Sequence, residues 1–194
     1  PVQGLAKEII TYYDPTSVVS EQYRSLRTRL LSANPHQEHR IFAVTSAVSR
    51  EGKSMTTVNL GFTLAEIRHL RILIVDGDLR KGTLGRSLNI DRSPGLADAM
   101  RNEANYDQII QRTPAPNLYF VPAGRTQGRS APELLSTPVA RSMFRRFERD
   151  FHYTIVDTPP ATTVSDAGIV GQMCNGVILL VRLKFTPEAY ARRA

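Results

Sequence analysis

The chain has 194 residues, 41% hydrophobic and 22% charged, with 25 Lys and Arg against 18 Asp and Glu for a formal net charge of +7. That size suits one domain with a core on both faces of a sheet, and the ordinary apolar fraction excludes a disordered chain. No apolar run approaches the roughly 18 residues needed to cross a bilayer, no secretory signal opens the sequence, and the lone Cys174 forbids an internal disulfide, so a cytosolic protein is expected.

Residues 1–19 carry Pro1, Gly4 and Pro15 with few apolar positions in register, and predict an arm lying over a domain that spans 20–194. Tyr12 and Tyr13 sit in it side by side, as anchors for the arm before any other role. A helix is predicted from Ser20 to about Leu31, with Tyr23, Leu26 and Leu30 as one apolar stripe. On its flank Glu21, Arg24 and Arg27 recur every third residue, which locally is an i,i+3 ion pair plus a spare arginine.

Ile41 to Ser54 (IFAVTSAVSREGKS) reads as a buried strand running into a phosphate-binding loop. Its end fits the loose pattern [AG]-x-x-x-x-G-K-[ST], from Ala47 through Val48, Ser49, Arg50 and Glu51 to Gly52, Lys53 and Ser54, with Met55 opening a helix. The chemistry needs this layout. A strand delivers the chain to the sheet edge, N–H groups of the loop and helix N-terminus face an anion, Lys53 adds a mobile charge, and the Ser54 hydroxyl can ligate Mg²⁺.

Further strands are predicted at Arg71 to Asp76, Leu118 to Val121, Tyr153 to Asp157 and Val177 to Val181. Between them come a short helix near Leu96 to Arg101 and a long one from Pro132 to about Arg149, whose Arg141, Arg145, Arg146 and Arg149 form a wet basic face. Cys174 is expected as a small buried residue of an apolar helix. Strand and helix alternate throughout, which predicts a doubly wound α/β domain with a mostly parallel sheet and helices on both faces. The helix start at Thr186 to Ala194 leaves the last crossover unfinished, so a chain cut short at its C-terminus is expected.

Asp76 and Asp157 both end apolar strands, and in a parallel sheet those ends share the edge that carries the phosphate loop. Asp78, two residues after Asp76, projects the same way if the segment stays extended. Three acids beside a lysine and a serine suit Mg²⁺-nucleotide chemistry, with one to spare as a base. His36, His39, His69 and His152 have no ligand-like spacing, so no zinc site is predicted. The arginines lack the aromatic interleaving of single-strand binders and any DNA-reading motif, so no nucleic-acid partner is expected.

SEQYRSLRTRL, SREGKS, ILIVDGDLR and YTIVDTPP followed by SDA, in that order, resemble the cytoplasmic domain of the bacterial tyrosine kinases of polysaccharide export, the BY-kinases. The resemblance covers about Asp14 to Thr186. It implies a P-loop NTPase fold of the MinD/ParA kind and an ATP-dependent protein-tyrosine kinase that phosphorylates itself and regulates exopolysaccharide or capsule synthesis. It further implies ATP and Mg²⁺ as cofactors, with Lys53 on the phosphates, Ser54, Asp78 and Asp157 at the metal, and Asp76 taking the proton from the attacking tyrosine. Glu21, Arg24 and Arg27 would form the interface of a self-assembled ring. Its other partners would be tyrosine-containing proteins and a transmembrane polysaccharide co-polymerase or adaptor, separate or fused, that keeps it at the inner face of the membrane.

Two departures from that pattern stand out. The family carries Pro-Gly where this chain has Ser49 and Arg50; if the second position needs a positive φ, arginine there is strained by about 1 kcal/mol or more. The outcome is either weaker ATP binding or a guanidinium brought to the phosphates. There is also no tyrosine-rich tail, only Tyr190. A MinD/ParA-type ATPase switch is the first rival reading, opposed by Val48 at the place of that group's extra lysine. The second is a catalytically weak nucleotide-binding scaffold that oligomerises and regulates a partner.

Overall fold

The computed structural model describes residues 4–194. Among them, six strands form one sheet: β1 (Arg40–Ser46), β2 (Ile72–Asp76), β3 (Gln111–Arg112), β4 (Leu118–Val121), β5 (Tyr153–Asp157) and β6 (Gly176–Leu180). Their order is β3-β4-β2-β5-β1-β6, parallel throughout except for the short edge strand β3, which runs antiparallel to β4. The central strands β2 and β5 are buried along their whole length, which is why β2 reads as a continuous apolar run rather than an alternating one.

Side chains alternate across the sheet and feed two cores. Leu73 and Val75 of β2, with Ile41 and Ala43 of β1, meet α5 (Leu96–Met100), α7 (Ala131–Leu135), α8 (Pro138–Asp150) and α9 (Asp166–Gly171) on one face. Ile72, Ile74 and Ile155 meet α3 (Lys53–Ala65) and α4 (Leu84–Leu88) on the other, with α2 (Val18–Ser32) packed outside α3. The doubly wound prediction therefore holds. α6 (Tyr106–Ile109) leads into β3, and α10 (Glu188–Arg193) follows β6.

Three expectations change. The N-terminal stretch does not merely lie on the surface: Leu5 and Ile9 join the second core, and α1 (Ile10–Tyr13) packs on α3. Asn59 of α3 receives hydrogen bonds from Thr11 N and Oγ1 at 3.1 and 3.0 Å and donates to Glu8 O, which satisfies a buried amide. Pro1 lies outside the described residues.

The helix expected over Pro132 to Arg149 is two helices. Thr137 caps the second through an Oγ1 that accepts from Ala140 N at 3.1 Å, and Pro138 in its first turn has no N–H with which to continue α7. Cys174 sits in the turn after α9, its N–H bonded to Gly171 O at 3.1 Å, where burial pushes its thiol up to about 12. β3 and the short helices α4 and α6 had no periodic signal long enough to read.

Candidate active site

β1 hands the chain to a loop built on its own polar groups. Ser46 Oγ donates to Val48 O at 2.6 Å, and Val48 N donates to Glu51 Oε2 at 2.7 Å. Glu51 is buried and turns away from the loop mouth, its other oxygen accepting from Arg182 N and Thr186 Oγ1 just after β6. Burial works to raise its pKa, but the hydrogen bonds from Thr186, Val48 and Arg182 outweigh that and hold it below the usual carboxylate range.

Two residues of the loop take positive φ: Arg50 at +68° and Gly52 at +93°. Space is open where a Cβ would stand on Gly52, so the backbone angle, not crowding, demands glycine there. Arg50 pays that conformational cost with a full side chain. Gly52 is the N-cap of α3, which begins at Lys53 and Ser54, so the partial positive charge of a 13-residue helix points out of the loop.

Across the sheet, Asp76 and Asp157 are direct register partners at the ends of β2 and β5. Gly77 permits this closeness: its N–H donates to Asp157 O at 2.8 Å, and a Cβ on it would stand 2.7 Å from that same oxygen. Ser54 Oγ donates to Asp157 Oδ2 at 2.7 Å, and Asp76 Oδ2 accepts from Leu84 N at 3.0 Å. The Oδ1 atoms of both carboxylates have no hydrogen-bond partner among the described residues.

Burial, reinforced by the charges of Asp157 and then Asp78 and opposed by the Leu84 N–H, pushes Asp76 up to about 8. Burial also pushes Asp157 up to about 7, against the pull of the Ser54 hydroxyl and of Lys53. Two acids this close titrate as a coupled pair, and each carries an orphaned oxygen. Such a pair calls for a proton or a cation. With Ser54 and Asp78 nearby, the donor set is hard oxygen on one or two carboxylates, which fits Mg²⁺.

A cleft of about 280 Å³ is lined by Ser49, Arg50, Gly52, Lys53, Ser54 and Met55 of the loop and by Asp78, Lys81, Thr83 and Pro160, and Ser54 ties it to Asp157. The structure thus brings most of the predicted phosphate-binding residues together with Asp78. Ala47, Val48 and Glu51 do not line it, and Val48 N is already used by Glu51. Asp76, read as the base, is 1% exposed, and neither it nor Asp157 lines the cleft.

Beyond Asp78 the chain coils into a turn: Lys81 N donates to Asp78 Oδ1 at 3.0 Å and Gly82 N to Asp78 O at 2.7 Å. That coil brings Lys81 and Thr83 to the cleft unpredicted. A second lysine just after the Asp-x-Asp pair was the available signal. Larger hollows of about 530 and 320 Å³ lie elsewhere, around Phe62 and Leu31, without the carboxylate-lysine combination of this cleft.

Glu21, Arg24 and Arg27 lie together on α2, but their partners are partly within the chain. Arg24 bonds Glu21 at 2.5 Å and Glu66 at 2.7 Å, and Arg27 bonds Glu66 at 2.6 Å and Thr63 O at 2.7 Å. Glu66 is the C-cap of α3. The two hydrogen-bonded arginines hold its pKa down, Arg24 most strongly, against the opposing effect of burial. No helix among the described residues is long and apolar enough to cross a membrane.

The family model for the AAA domain matches residues 39–186. The chain is 27% identical over 180 residues to the putative tyrosine-protein kinase CapB of Staphylococcus aureus, spanning 93% of this chain and 78% of that protein. It is 29% identical over 190 residues to the tyrosine-protein kinase YwqD of Bacillus subtilis (strain 168), spanning 98% and 79%. Among solved structures, the chimerical protein CapA2B2 superposes with a TM-score of 0.89 at 26% identity, covering 100% of this chain and 85% of that one. The BceF tyrosine kinase domain gives 0.86 at 28%, covering 96% and 74%. A MinD of Pyrococcus horikoshii complexed with Mg-ADP gives 0.66 at 22%, covering 79% and 62%. That last likeness is one of fold alone, and the MinD-like relation is distant beside that to the kinases.

Proposed function

The chain belongs to the AAA domain family and is related through most of its length to bacterial tyrosine-protein kinases, and from that premise we propose that it transfers the γ-phosphoryl group of ATP to tyrosine in the control of capsule or exopolysaccharide synthesis. The observation that carries the reading is the in-register pair Asp76 and Asp157, with Asp157 bonded to Ser54, which lines a cleft together with Lys53, Lys81 and Asp78.

Each part has a task in phosphoryl transfer, which needs positioning and charge neutralisation more than covalent chemistry. Lys53 and the N-terminus of α3 hold the phosphates, and Lys81 adds a second positive charge at the mouth. Ser54, Asp157 and Asp78 are the residues that would hold Mg²⁺, which when bound neutralises charge building on the transferred group. Asp76 accepts the proton of the tyrosine hydroxyl. A phenol has a pKa near 10, and a carboxylate raised to about 8 is better matched to it than an ordinary one.

The same premise extends to assembly. Glu21, Arg24 and Arg27 serve self-association into a ring, and a transmembrane co-polymerase or adaptor holds the domain at the inner face of the membrane. Incubation with γ-labelled ATP, Mg²⁺ and the adaptor's cytosolic segment should place label on tyrosine, and Lys53→Met and Asp76→Ala should abolish it. Released phosphate without labelled tyrosine would make the chain an ATPase switch. Nucleotide binding without turnover would make it a scaffold.

A further inference from the structure

Asp78 reaches the cleft on a turn, Gly77 to Gly82, whose position its own residues only partly set. Two arginines that do not line the cleft, Arg80 of the turn itself and Arg92 beyond it, tie the turn to its surroundings. Arg80, two residues after Asp78, forks onto Asp166 at the start of α9, Nε to Oδ2 at 2.9 Å and Nη2 to Oδ1 at 3.1 Å. Asp166 is 0% exposed. A buried carboxylate without its cation is costly, so this pairing is strongly specified, and a bidentate fork fixes direction as well as distance.

Arg92 closes the other side. Its guanidinium donates to Leu79 O and Lys81 O, both at 2.8 Å, and to Gly124 O at 2.7 Å. Two consecutive-but-one carbonyls of the turn are thereby tied to the segment after β4. Gly82, at φ +55°, makes the room: a Cβ there would stand 2.8 Å from both Arg92 Cζ and Ala123 Cβ. The turn is thus held from α9 on one side and from the β4 end on the other.

We infer that Arg80, with Asp166, and Arg92 are positioning residues that hold the Asp78 turn in the geometry that binds metal-nucleotide. The inference rests on the reading of the cleft as an Mg²⁺-nucleotide site. Groups that orient metal-binding residues from outside typically change metal affinity by about 10–100-fold when removed.

The test is titration of a fluorescent ADP analogue with and without Mg²⁺, beside thermal melting. Wild type should bind more tightly with Mg²⁺. Arg92→Ala, and the double variant Arg80→Met with Asp166→Asn that removes both charges together, should lose about tenfold of that Mg²⁺-dependent gain. Their metal-free affinity should stay within about twofold, since Lys53 and the helix terminus are untouched. Millimolar guanidinium should restore the gain in Arg92→Ala, and the milder Arg80→Lys should fall between.

A preserved Mg²⁺-dependent gain in folded variants overturns the inference, as does an equal loss of affinity with and without metal that follows the melting temperature. Wild type showing no Mg²⁺-dependent binding would instead overturn the reading of the cleft, and this inference with it.

Discussion

Replacing Asp76 by Asn should make the nucleotide-free protein more stable at pH 8, although it removes a residue of the site. Asp76 is raised from an ordinary 3.8 to about 8. A raised carboxyl contributes stability that is fully present below 3.8 and is lost as the pH climbs through 8, because the folded state binds the extra proton across that window. The gap, 8 minus 3.8 at about 1.36 kcal/mol per pH unit, sets a ceiling of about 6 kcal/mol. Part of the effect comes from Asp157, which protonates in the same range. We therefore expect a net gain of about 2–3 kcal/mol for the variant. An amide oxygen can keep the hydrogen bond from Leu84 N. Urea unfolding of wild type and variant in EDTA, at pH 8 and again near pH 4, measures it. The difference should shrink toward zero at the acid end. A variant less stable than wild type at pH 8, or a difference independent of pH, would refute the account of a strained acid pair.

Other perturbations test other parts. Arg50→Gly should relieve the left-handed backbone at φ +68° and stabilise the protein by roughly 1 kcal/mol, a rise in Tm of about 2–4 °C in a scanning melt. Gly77→Ala forces a Cβ to within 2.7 Å of Asp157 O and 2.9 Å of Val156 Cγ1, and should cost about 1–3 kcal/mol in urea unfolding while impairing Mg²⁺-nucleotide binding. Arg24→Ala and Arg27→Ala should reduce self-association in light scattering. Glu66→Ala, which frees both guanidinium groups from their shared partner within the chain, should increase it.

The apolar strands β2 and β5 and the strand-loop-helix around Gly52 were legible because buried parallel strands and a glycine-capped helix leave local marks. So was the shared edge of Asp76 and Asp157, since strand ends in a parallel sheet coincide. The coil of the turn after Asp76 was not. It depends on the Lys81 and Gly82 amides closing on Asp78 and on Arg80 and Arg92, whose partners Asp166 and Gly124 lie 86 and 32 residues away. A positive φ at Arg50 entered the sequence reading only as a condition, and the geometry meets it at +68°. The burial of the N-terminal arm was missed because Leu5, Ile9 and Thr11 show no period of their own and take their order from Asn59 and the core.

The most direct test is single-turnover transfer from Mg²⁺-ATP to tyrosine, comparing wild type with Asp157→Asn in protein of equal stability. The account predicts phosphotyrosine from wild type and a rate at least about 100-fold lower in the variant, which loses the carboxylate bonded to Ser54. Metal-free ADP binding should persist. Transfer at the wild-type rate by Asp157→Asn would show that the acid pair beside the phosphate loop is not where the reaction happens.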